Sequence, residues 1–265
     1  MTILDAPLPP GTPCWVDLFT SDEAASRAFY SELLGWEILP GRPDFGGYAL
    51  AQIGGHNVAG IMPNSEGGPD VWSTYIAVTD AEATTAAATA AGATVLAPPL
   101  AVGPLGTMAV LFDPIGGAFG LWQPAEHTGF QLVDVPGAVA WDEYHSKDFA
   151  TSRAFYGDLF GWTYRVMSDT DDFRYITAEV DGNPVGGMMD SAGFLPEQVP
   201  SHWAVYFTVE DADAAQATAV RLGATVLRPA EDSPFGRIVD LVDPTGAAFK
   251  LHSQTLSDGT KVFNG

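Results

Sequence analysis

The stretch Ser26-Arg27-Ala28-Phe29-Tyr30 occurs twice in this chain, because Ser152-Arg153-Ala154-Phe155-Tyr156 repeats it letter for letter 126 residues later. After each copy, a leucine, a glycine and a tryptophan follow at identical spacings. The offset is close to half of the 265 residues. A repeat of this length predicts an internal duplication, which decides how the rest of the chain is divided.

The residues around the first copy predict one unit made of a strand, a helix and three strands. An apolar run over 14–19 indicates the first strand, and Thr20 with Glu23 has the spacing of a capping box at a helix start. Gly35 is placed to end that helix. The same order returns from residue 72 and twice more in the second half, so the sequence predicts four such units.

The repeat also predicts the domain organisation. We expect a flexible N-terminal arm over residues 1–10, a first domain over 11–124 and a linker over 125–136. A second domain should occupy 137–254, with a C-terminal tail over 255–265. Domains of this size are long enough to bury their own cores.

Composition excludes several classes of partner. Eleven basic and 33 acidic residues give a formal charge of −22, which repels phosphate backbones and anionic lipid headgroups. No apolar run approaches the roughly 20 residues of a membrane span, and the N-terminus lacks the features of a signal peptide. The single cysteine, Cys14, excludes an internal disulfide. We therefore expect a cytoplasmic protein, monomeric or homodimeric, that binds a small molecule and neither nucleic acid nor membrane.

The pattern resembles the vicinal oxygen chelate superfamily, which includes glyoxalase I, bleomycin-resistance proteins and extradiol dioxygenases. It is also similar to a two-domain actinobacterial glyoxalase-like group that includes a mycobacterial culture-filtrate antigen. The resemblance implies an α+β fold with a tandem pair of domains, each built from two βαβββ units that form a curved eight-stranded cup with a concave binding face. The residues that carry it, each with a second-half partner, are Asp22, Ser26, Phe29, Tyr30, Gly35, Asp113, Pro114 and Gly116.

The resemblance also implies where metal ligands would stand. Histidine or glutamate is expected at three strand positions in each half, and this chain has other residue types there. They are Trp15, Ser73 and Gly120 in the first half, and Trp141, Ala204 and Lys250 in the second. Indole, methyl and ammonium groups do not bind a hard divalent ion. We therefore expect no metal ion and no organic cofactor.

Strand alternation predicts a largely aromatic lining for the first cup, since residues two apart face the same side. The candidate ligand-binding residues there are Trp15, Asp17, Phe19, Ser73, Tyr75 and Trp122. Such a lining suits a flat apolar or conjugated ligand between rings, with Asp17 orienting a donor or a cation. The alternative is that the same rings fill the cup as core.

The second cup is predicted to be more polar. Its candidate ligand-binding residues are Trp141, His202, Lys250 and His252, and its candidate catalytic residues are Glu143, His145 and Tyr206. Glu143 with a histidine has the composition of a general acid/base pair. The alternative is a set of hydrogen-bonded histidines without a chemical role. His56 and His127 fall in predicted loops, where we expect them to be solvated.

Two functions follow from these patterns. The first is a metal-free protein that binds or sequesters an aromatic or conjugated metabolite or drug. The second is a metal-independent lyase, isomerase or glyoxalase-like enzyme that uses the acid/base residues of the second domain. A non-catalytic scaffold with closed cups is a third possibility.

Overall fold

A computed structural model describes residues 2–65, 67–133 and 135–262. The first half contains a short outlying strand, an eight-stranded sheet, two helices and a strand in the connection to the second half. They are β1 Thr2–Ile3, β2 Pro13–Thr20, α1 Glu23–Leu34, β3 Glu37–Ile38, β4 Ala49–Ile53, β5 His56–Pro63, β6 Val71–Ala77, α2 Ala81–Ala90, β7 Thr94–Ala101, β8 Gly106–Phe112, β9 Ala118–Pro124 and β10 Leu132–Val133.

The second half repeats this arrangement with a second eight-stranded sheet and two more helices. Its elements are β11 Val139–Ser146, α3 Phe149–Phe160, β12 Thr163–Asp169, β13 Arg174–Val180, β14 Asn183–Asp190, β15 His202–Thr208, α4 Ala212–Arg221, β16 Thr225–Ser233, β17 Gly236–Val242 and β18 Ala248–Ser253. None of the helices in the described residues is long and apolar enough to cross a membrane.

The two sheets have the same topology. The first runs β3-β4-β5-β2-β6-β9-β8-β7, and the second runs β12-β13-β14-β11-β15-β18-β17-β16. In each sheet, the first strands of the two βαβββ units pair antiparallel at the centre, β2 with β6 and β11 with β15. The predicted tandem α+β fold, two cups of two βαβββ units each, is confirmed.

The first helix of each half begins at an aspartate and ends at a glycine. Asp22 and Asp148 accept hydrogen bonds from the backbone amides of Ala25 and Thr151. The expected capping box at Thr20 is therefore wrong by two residues, because the Asp22 carboxylate caps the helix and the Thr20 hydroxyl instead contacts Ser26 Oγ at 2.7 Å. Gly35 ends α1 with a φ of 71°, a conformation that glycine adopts without steric cost.

The repeated sequence motifs join the two halves to each other. Tyr30 Oη donates to Asp243 Oδ2 at 2.9 Å and accepts from Trp72 Nε1 at 2.9 Å. In the second copy of the repeat, the equivalent tyrosine makes the equivalent bond: Tyr156 Oη donates to Asp113 Oδ2 at 3.0 Å. The tyrosine of each duplicated helix thus bonds to the Asp-Pro turn of the opposite half, where α1 contacts α4, α2 contacts α3 and β6 contacts β15.

Within the described residues, the N-terminal arm and the C-terminal tail are both held by hydrogen bonds. Residues Thr2–Ile3 of the arm, expected to be flexible, pair with Leu132–Val133, and Leu4 N donates to Gln131 O at 3.0 Å. In the tail, Ser257 N donates to Asp232 Oδ1 at 3.0 Å. The backbone amides of an extended arm find partners in a second extended segment, so a short polar or proline-rich terminus can still be ordered.

Candidate functional site

Each concave face contains a buried carboxylate surrounded by one tryptophan and two tyrosines, and we call these four side chains the quartet. In the first cup, Asp17 Oδ1 accepts hydrogen bonds from Trp15 Nε1 at 2.8 Å and from Tyr48 Oη at 2.5 Å. The Tyr75 hydroxyl also bonds to this carboxylate. The polar groups of Asp17 are therefore satisfied inside the protein.

The second cup contains the equivalent quartet around Glu143. Tyr206 Oη donates to Glu143 Oε1 at 2.7 Å, and the Tyr175 hydroxyl also bonds to the carboxylate. Trp141 Nε1 donates to Tyr175 Oη at 3.0 Å. The duplication has thus preserved a complete hydrogen-bonded group and not only the backbone.

One tyrosine of each quartet was missed by the sequence predictions, although the repeat contained the signal. Tyr48 and Tyr175 stand at equivalent places, and each hydroxyl packs directly over a glycine of the neighbouring strand, Gly60 or Gly187. A Cβ at either glycine would overlap the tyrosine hydroxyl. The matched glycines in β5 and β14 therefore mark the place where a tyrosine side chain lies across the neighbouring strand.

The first cup is closed by the connection between the halves. The His127 ring packs edge-on against Trp15 with centroids 4.4 Å apart, and Phe130 lies 5.7 Å from the same indole. Trp122 Nε1 donates to the His127 carbonyl oxygen at 2.9 Å. Trp15 is only 3% exposed as a result. The burial of Trp15, Tyr75 and Trp122 agrees with the alternative in which these rings pack as core.

The expectation that His127 is solvated is wrong. Its Nε2 atom is buried and has no hydrogen-bond partner within the described ranges. Burial lowers the pKa of His127 to about 4, so the ring is neutral at physiological pH. A neutral imidazole can pack against an indole, and His127 does so on Trp15. The position of His127 in a loop does not predict this contact.

The second cup brings two histidines together beside Glu143. His145 Nε2 lies 2.9 Å from Glu143 Oε1, and His145 Nδ1 lies 3.3 Å from Ser191 Oγ. The rings of His145 and His202 are stacked at 5.0 Å with 12° between their planes. Both His145 nitrogens therefore face groups of the protein itself.

His202 presents a different edge of its ring. Its Nδ1 atom lies 2.9 Å from the Pro200 carbonyl oxygen, and a carbonyl only accepts, so the proton is assigned to Nδ1. Burial and the neighbouring His145 lower the pKa of His202 to about 4. The neutral ring leaves Nε2 as an acceptor in this half-buried side chain.

A row of charged side chains crosses the second cup on adjacent strands, and we call it the charge ladder. Arg228 Nε lies 3.5 Å from Asp240 Oδ2, and Asp240 Oδ1 lies 3.3 Å from Lys250 Nζ. The Lys250 ammonium then lies 4.9 Å from the centre of the Tyr206 ring. These residues are neighbours because the strand register places them directly opposite one another.

The two central carboxyl groups have opposite pKa shifts. Burial raises the pKa of Asp17 to about 6, although three hydrogen bonds to its carboxylate act in the other direction. Burial also opposes ionisation of Glu143, but His145, Lys250 and Tyr206 outweigh it and lower its pKa to about 2. Glu143 is therefore a fixed anion at neutral pH, whereas Asp17 titrates close to neutrality.

Aromatic side chains from two hairpins border the second cup. Phe173, from the β12–β13 hairpin, stacks on Tyr175 with centroids 5.9 Å apart and is 41% exposed. Phe235, from the β16–β17 hairpin, also contacts Tyr175, with the two ring centroids 5.8 Å apart. Its carbonyl oxygen accepts from His252 Nε2 at 2.8 Å. Trp141 is half-buried in this cup.

Two ligand-binding candidates of the first cup, Phe19 and Ser73, have no contact with the quartet among the described hydrogen bonds and aromatic pairs. Phe19 and Ser73 are half-buried on the strands that carry Asp17 and Tyr75. The structure therefore gathers the candidates of the second cup into one cluster and leaves these two at the margin of the first.

The residues at the family's metal positions do not fit a divalent ion. In the second half, an indole, a methyl group and the Lys250 ammonium occupy the three places, and in the first half Trp15, Ser73 and Gly120 do so. Within the described ranges, histidine, cysteine and carboxylate side chains form no group of three or more with metal-like spacing. The donor set therefore offers no ordinary coordination shell.

Comparison with known proteins agrees with this architecture. A family model described as a glyoxalase-like domain matches residues 15–122 and 138–252. The Mycobacterium tuberculosis protein "Putative glyoxylase CFP32" is 38% identical over 248 residues, covering 91% of this chain and 94% of that protein. "Anthracycline biosynthesis protein DnrV" of Streptomyces peucetius is 35% identical over 261 residues, covering 91% and 93%.

Solved structures share the fold at low sequence identity. The Mn(II)-bound glyoxalase from Novosphingobium aromaticivorans aligns with a TM-score of 0.64 at 18% identity, covering 96% of this chain and 84% of that one. The 2,3-dioxygenase LapB from Pseudomonas sp. KL28 gives 0.64 at 15% identity, covering 96% and 94%. The predicted resemblance is confirmed: the chain belongs to the glyoxalase-like domain family of the vicinal oxygen chelate superfamily, as a tandem two-domain member.

Proposed function

We propose that the second cup binds a planar aromatic or conjugated small molecule without a metal ion. The observation that carries the proposal is the contrast between the two concave faces. His127 seals the aromatic floor of the first, whereas the second combines buried charges with half-buried rings. Convergent polar groups in an aromatic-lined cup are typical of small-molecule sites.

The class of ligand is inferred from the aromatic side chains around the cup. Trp141 and Phe235 are half-buried and offer ring faces on which a conjugated ring system can stack. Two relatives are named for anthracycline biosynthesis, and anthracyclines are built on a planar fused-ring system. A polycyclic quinone is therefore a suitable first probe.

The chemistry of Glu143 favours binding over proton transfer. A carboxylate with a pKa of about 2 is a weak base at neutral pH, and a general base is most effective when its pKa is near the working pH. The nitrogens of His145 already face Glu143 and Ser191. Glu143 and His145 thus act best as fixed groups that orient Tyr206 and the bound molecule.

A metal-independent lyase, isomerase or glyoxalase-like enzyme is the second candidate. It is favoured by the contact between His145 and Glu143, which has the composition of an acid/base pair. Turnover of a bound ligand that depends on both residues would distinguish it from a binding protein. Loss of turnover in Glu143→Gln and in His145→Ala, with ligand affinity retained, would favour the enzyme.

Titration with 9,10-anthraquinone, followed by quenching of tryptophan fluorescence in the presence of a chelator, tests the binding proposal. We expect saturable binding that weakens about ten-fold in Trp141→Ala, since an aromatic contact contributes about 0.5–1.5 kcal/mol beyond its buried area. Phe19→Ala, in the first cup, is the matched control and should leave the affinity unchanged. Absence of saturable binding, or an equal loss in Phe19→Ala, would contradict the proposal.

A further inference from the structure

Lys250 is the one buried cation among the described residues. The chain has 11 lysine and arginine residues, and Lys250 alone falls in the buried class at 8% exposure. Burying an ammonium group is costly unless it is paired. Its partner is Asp240, with Lys250 Nζ at 3.3 Å from Oδ1. This arrangement places a positive charge in the second cup of a strongly acidic protein.

The charge ladder has no counterpart in the first cup. The strand register aligns Ala97 with Val110 and Val110 with Gly120, where the second half has Arg228, Asp240 and Lys250. The same sheet therefore forms with three small or apolar residues in this row. Since the fold does not require the charges, they point to a ligand rather than to packing.

The position of Lys250 matters as much as its charge. The family resemblance implies an acidic metal ligand at this place, and Lys250 puts an ammonium group there instead. A Mn(II)-bound glyoxalase is among the structures that share this fold. A metal ion and an ammonium group differ in coordination, but both stabilise negative charge on a nearby oxygen.

We propose that Lys250 Nζ binds an ionised phenol or enol oxygen of the planar ligand, supplying the positive charge that a metal ion supplies in metal-dependent relatives. The inference rests on the proposed function, because it concerns the same cup. The ammonium has three N–H donors, of which Asp240 can occupy one. The two remaining donors are sufficient to bind an oxyanion.

The other charges of the cup allow a monoanion to enter. Arg228 and Lys250 balance Asp240 and Glu143, so these four side chains have no net charge. Glu143 is in addition bound by Tyr206 and Tyr175, which places its hydrogen-bonding capacity inside the protein. Lys250 can therefore donate to the bound oxygen, and the Glu143 carboxylate beside it already has hydrogen-bond partners within the protein.

Alizarin, a dihydroxyanthraquinone whose colour reports its ionisation, tests this proposal with chelator present. We expect binding to the wild-type protein to lower the ionisation pH of the dye by about one unit, which corresponds to a ten-fold preference for the anion. Lys250→Met keeps most of the side-chain length, and this variant should abolish the shift. Lys261→Met, at an exposed lysine, is the matched control. Affinity for 9,10-anthraquinone, which has no hydroxyl group, should stay within two-fold in Lys250→Met.

The outcomes separate this inference from the function on which it rests. Binding of both dyes with no change in the ionisation of alizarin, or a shift retained in Lys250→Met, would overturn the role of Lys250 and leave the binding function standing. Failure of the wild-type protein to bind either dye would overturn both. Should Lys250→Met not fold, the ionisation of wild-type-bound alizarin decides: an unchanged or raised value rejects the proposal.

Discussion

The two cups hold the same quartet of side chains, but the pKa values of their central carboxyl groups are shifted in opposite directions. Asp17 and Glu143 are each bound by two tyrosine hydroxyls, yet the pKa of Asp17 is raised to about 6 and that of Glu143 is lowered to about 2. Burial acts on both in the same direction. The difference therefore comes from His145 and Lys250, which add positive or proton-donating groups beside Glu143 alone.

The segments that follow each sheet create a second difference. After β9 the chain crosses the first cup and places His127 against Trp15. After β18 the equivalent segment turns away, and Ser257 is anchored to Asp232 on the β16 strand. The two concave faces thus differ because the segments that follow β9 and β18 make different contacts, while the strands are alike.

The largest expected effect is the loss of the Glu143 charge. Glu143→Gln removes a buried negative charge that faces His145 and Lys250, and removing one partner of a buried ion pair costs about 3–5 kcal/mol. Urea unfolding at pH 7 should show this decrease in the free energy of unfolding. The charge of Glu143 stabilises the fold above its unfolded pKa, and this contribution is lost as pH falls toward 2. An unchanged wild-type stability in that range would contradict its lowered pKa.

The charge of Asp17 should have the opposite pH dependence. Its folded pKa of about 6 exceeds the ordinary aspartate value of 3.8, so the stabilising protonated form is lost as pH rises from about 4 through 6. A pKa difference of this size corresponds to on the order of 3 kcal/mol. Unfolding curves between pH 4 and pH 8 should therefore be flatter for Asp17→Asn than for the wild type. Identical slopes for the two proteins would show that Asp17 is not protonated on folding.

Adding one methyl group beneath the tyrosine of each quartet tests whether the two quartets are packed equally closely. Gly60→Ala and Gly187→Ala would each push a Cβ into a tyrosine hydroxyl, and overpacking of this kind costs about 1–3 kcal/mol. Gly193→Ala is the control, since its added Cβ meets no atom within 4 Å. Denaturant midpoints measure all three. A loss in only one quartet would indicate that the other can yield without strain.

The smallest effect is expected from opening the first cup. His127→Ala removes the ring over Trp15 but leaves the Trp122 hydrogen bond to the backbone carbonyl, so we expect a cost of about 1 kcal/mol. Acrylamide should quench tryptophan fluorescence more strongly in this variant. His56→Ala, at a half-buried strand start, is the comparison. Equal quenching in both would mean that His127 does not cover the indole.

Several features of the site could be read from the repeat because they depend on strand alternation. Trp15, Asp17 and Tyr75, and likewise Trp141, Glu143 and Tyr206, face one side at positions that a period of two predicts. Tyr48, just before β4, and Tyr175, on β13, were missed because they approach the carboxylates from distant parts of the chain, which give no local signal. The paired glycines opposite them were visible in the sequence, but their role depends on a contact between strands.

The sequence by itself determined the duplication, the four βαβββ units and the residue types on each concave face, because periodicity and repeated residues depend only on the order of residues along the chain. Only the tertiary structure decided that His127 closes the first cup and that Arg228, Asp240 and Lys250 form a charge ladder in the second. The charge state of a buried carboxyl group depends on groups within a few ångströms. Asp17 and Glu143 acquire theirs from side chains that folding brings together from distant parts of the chain.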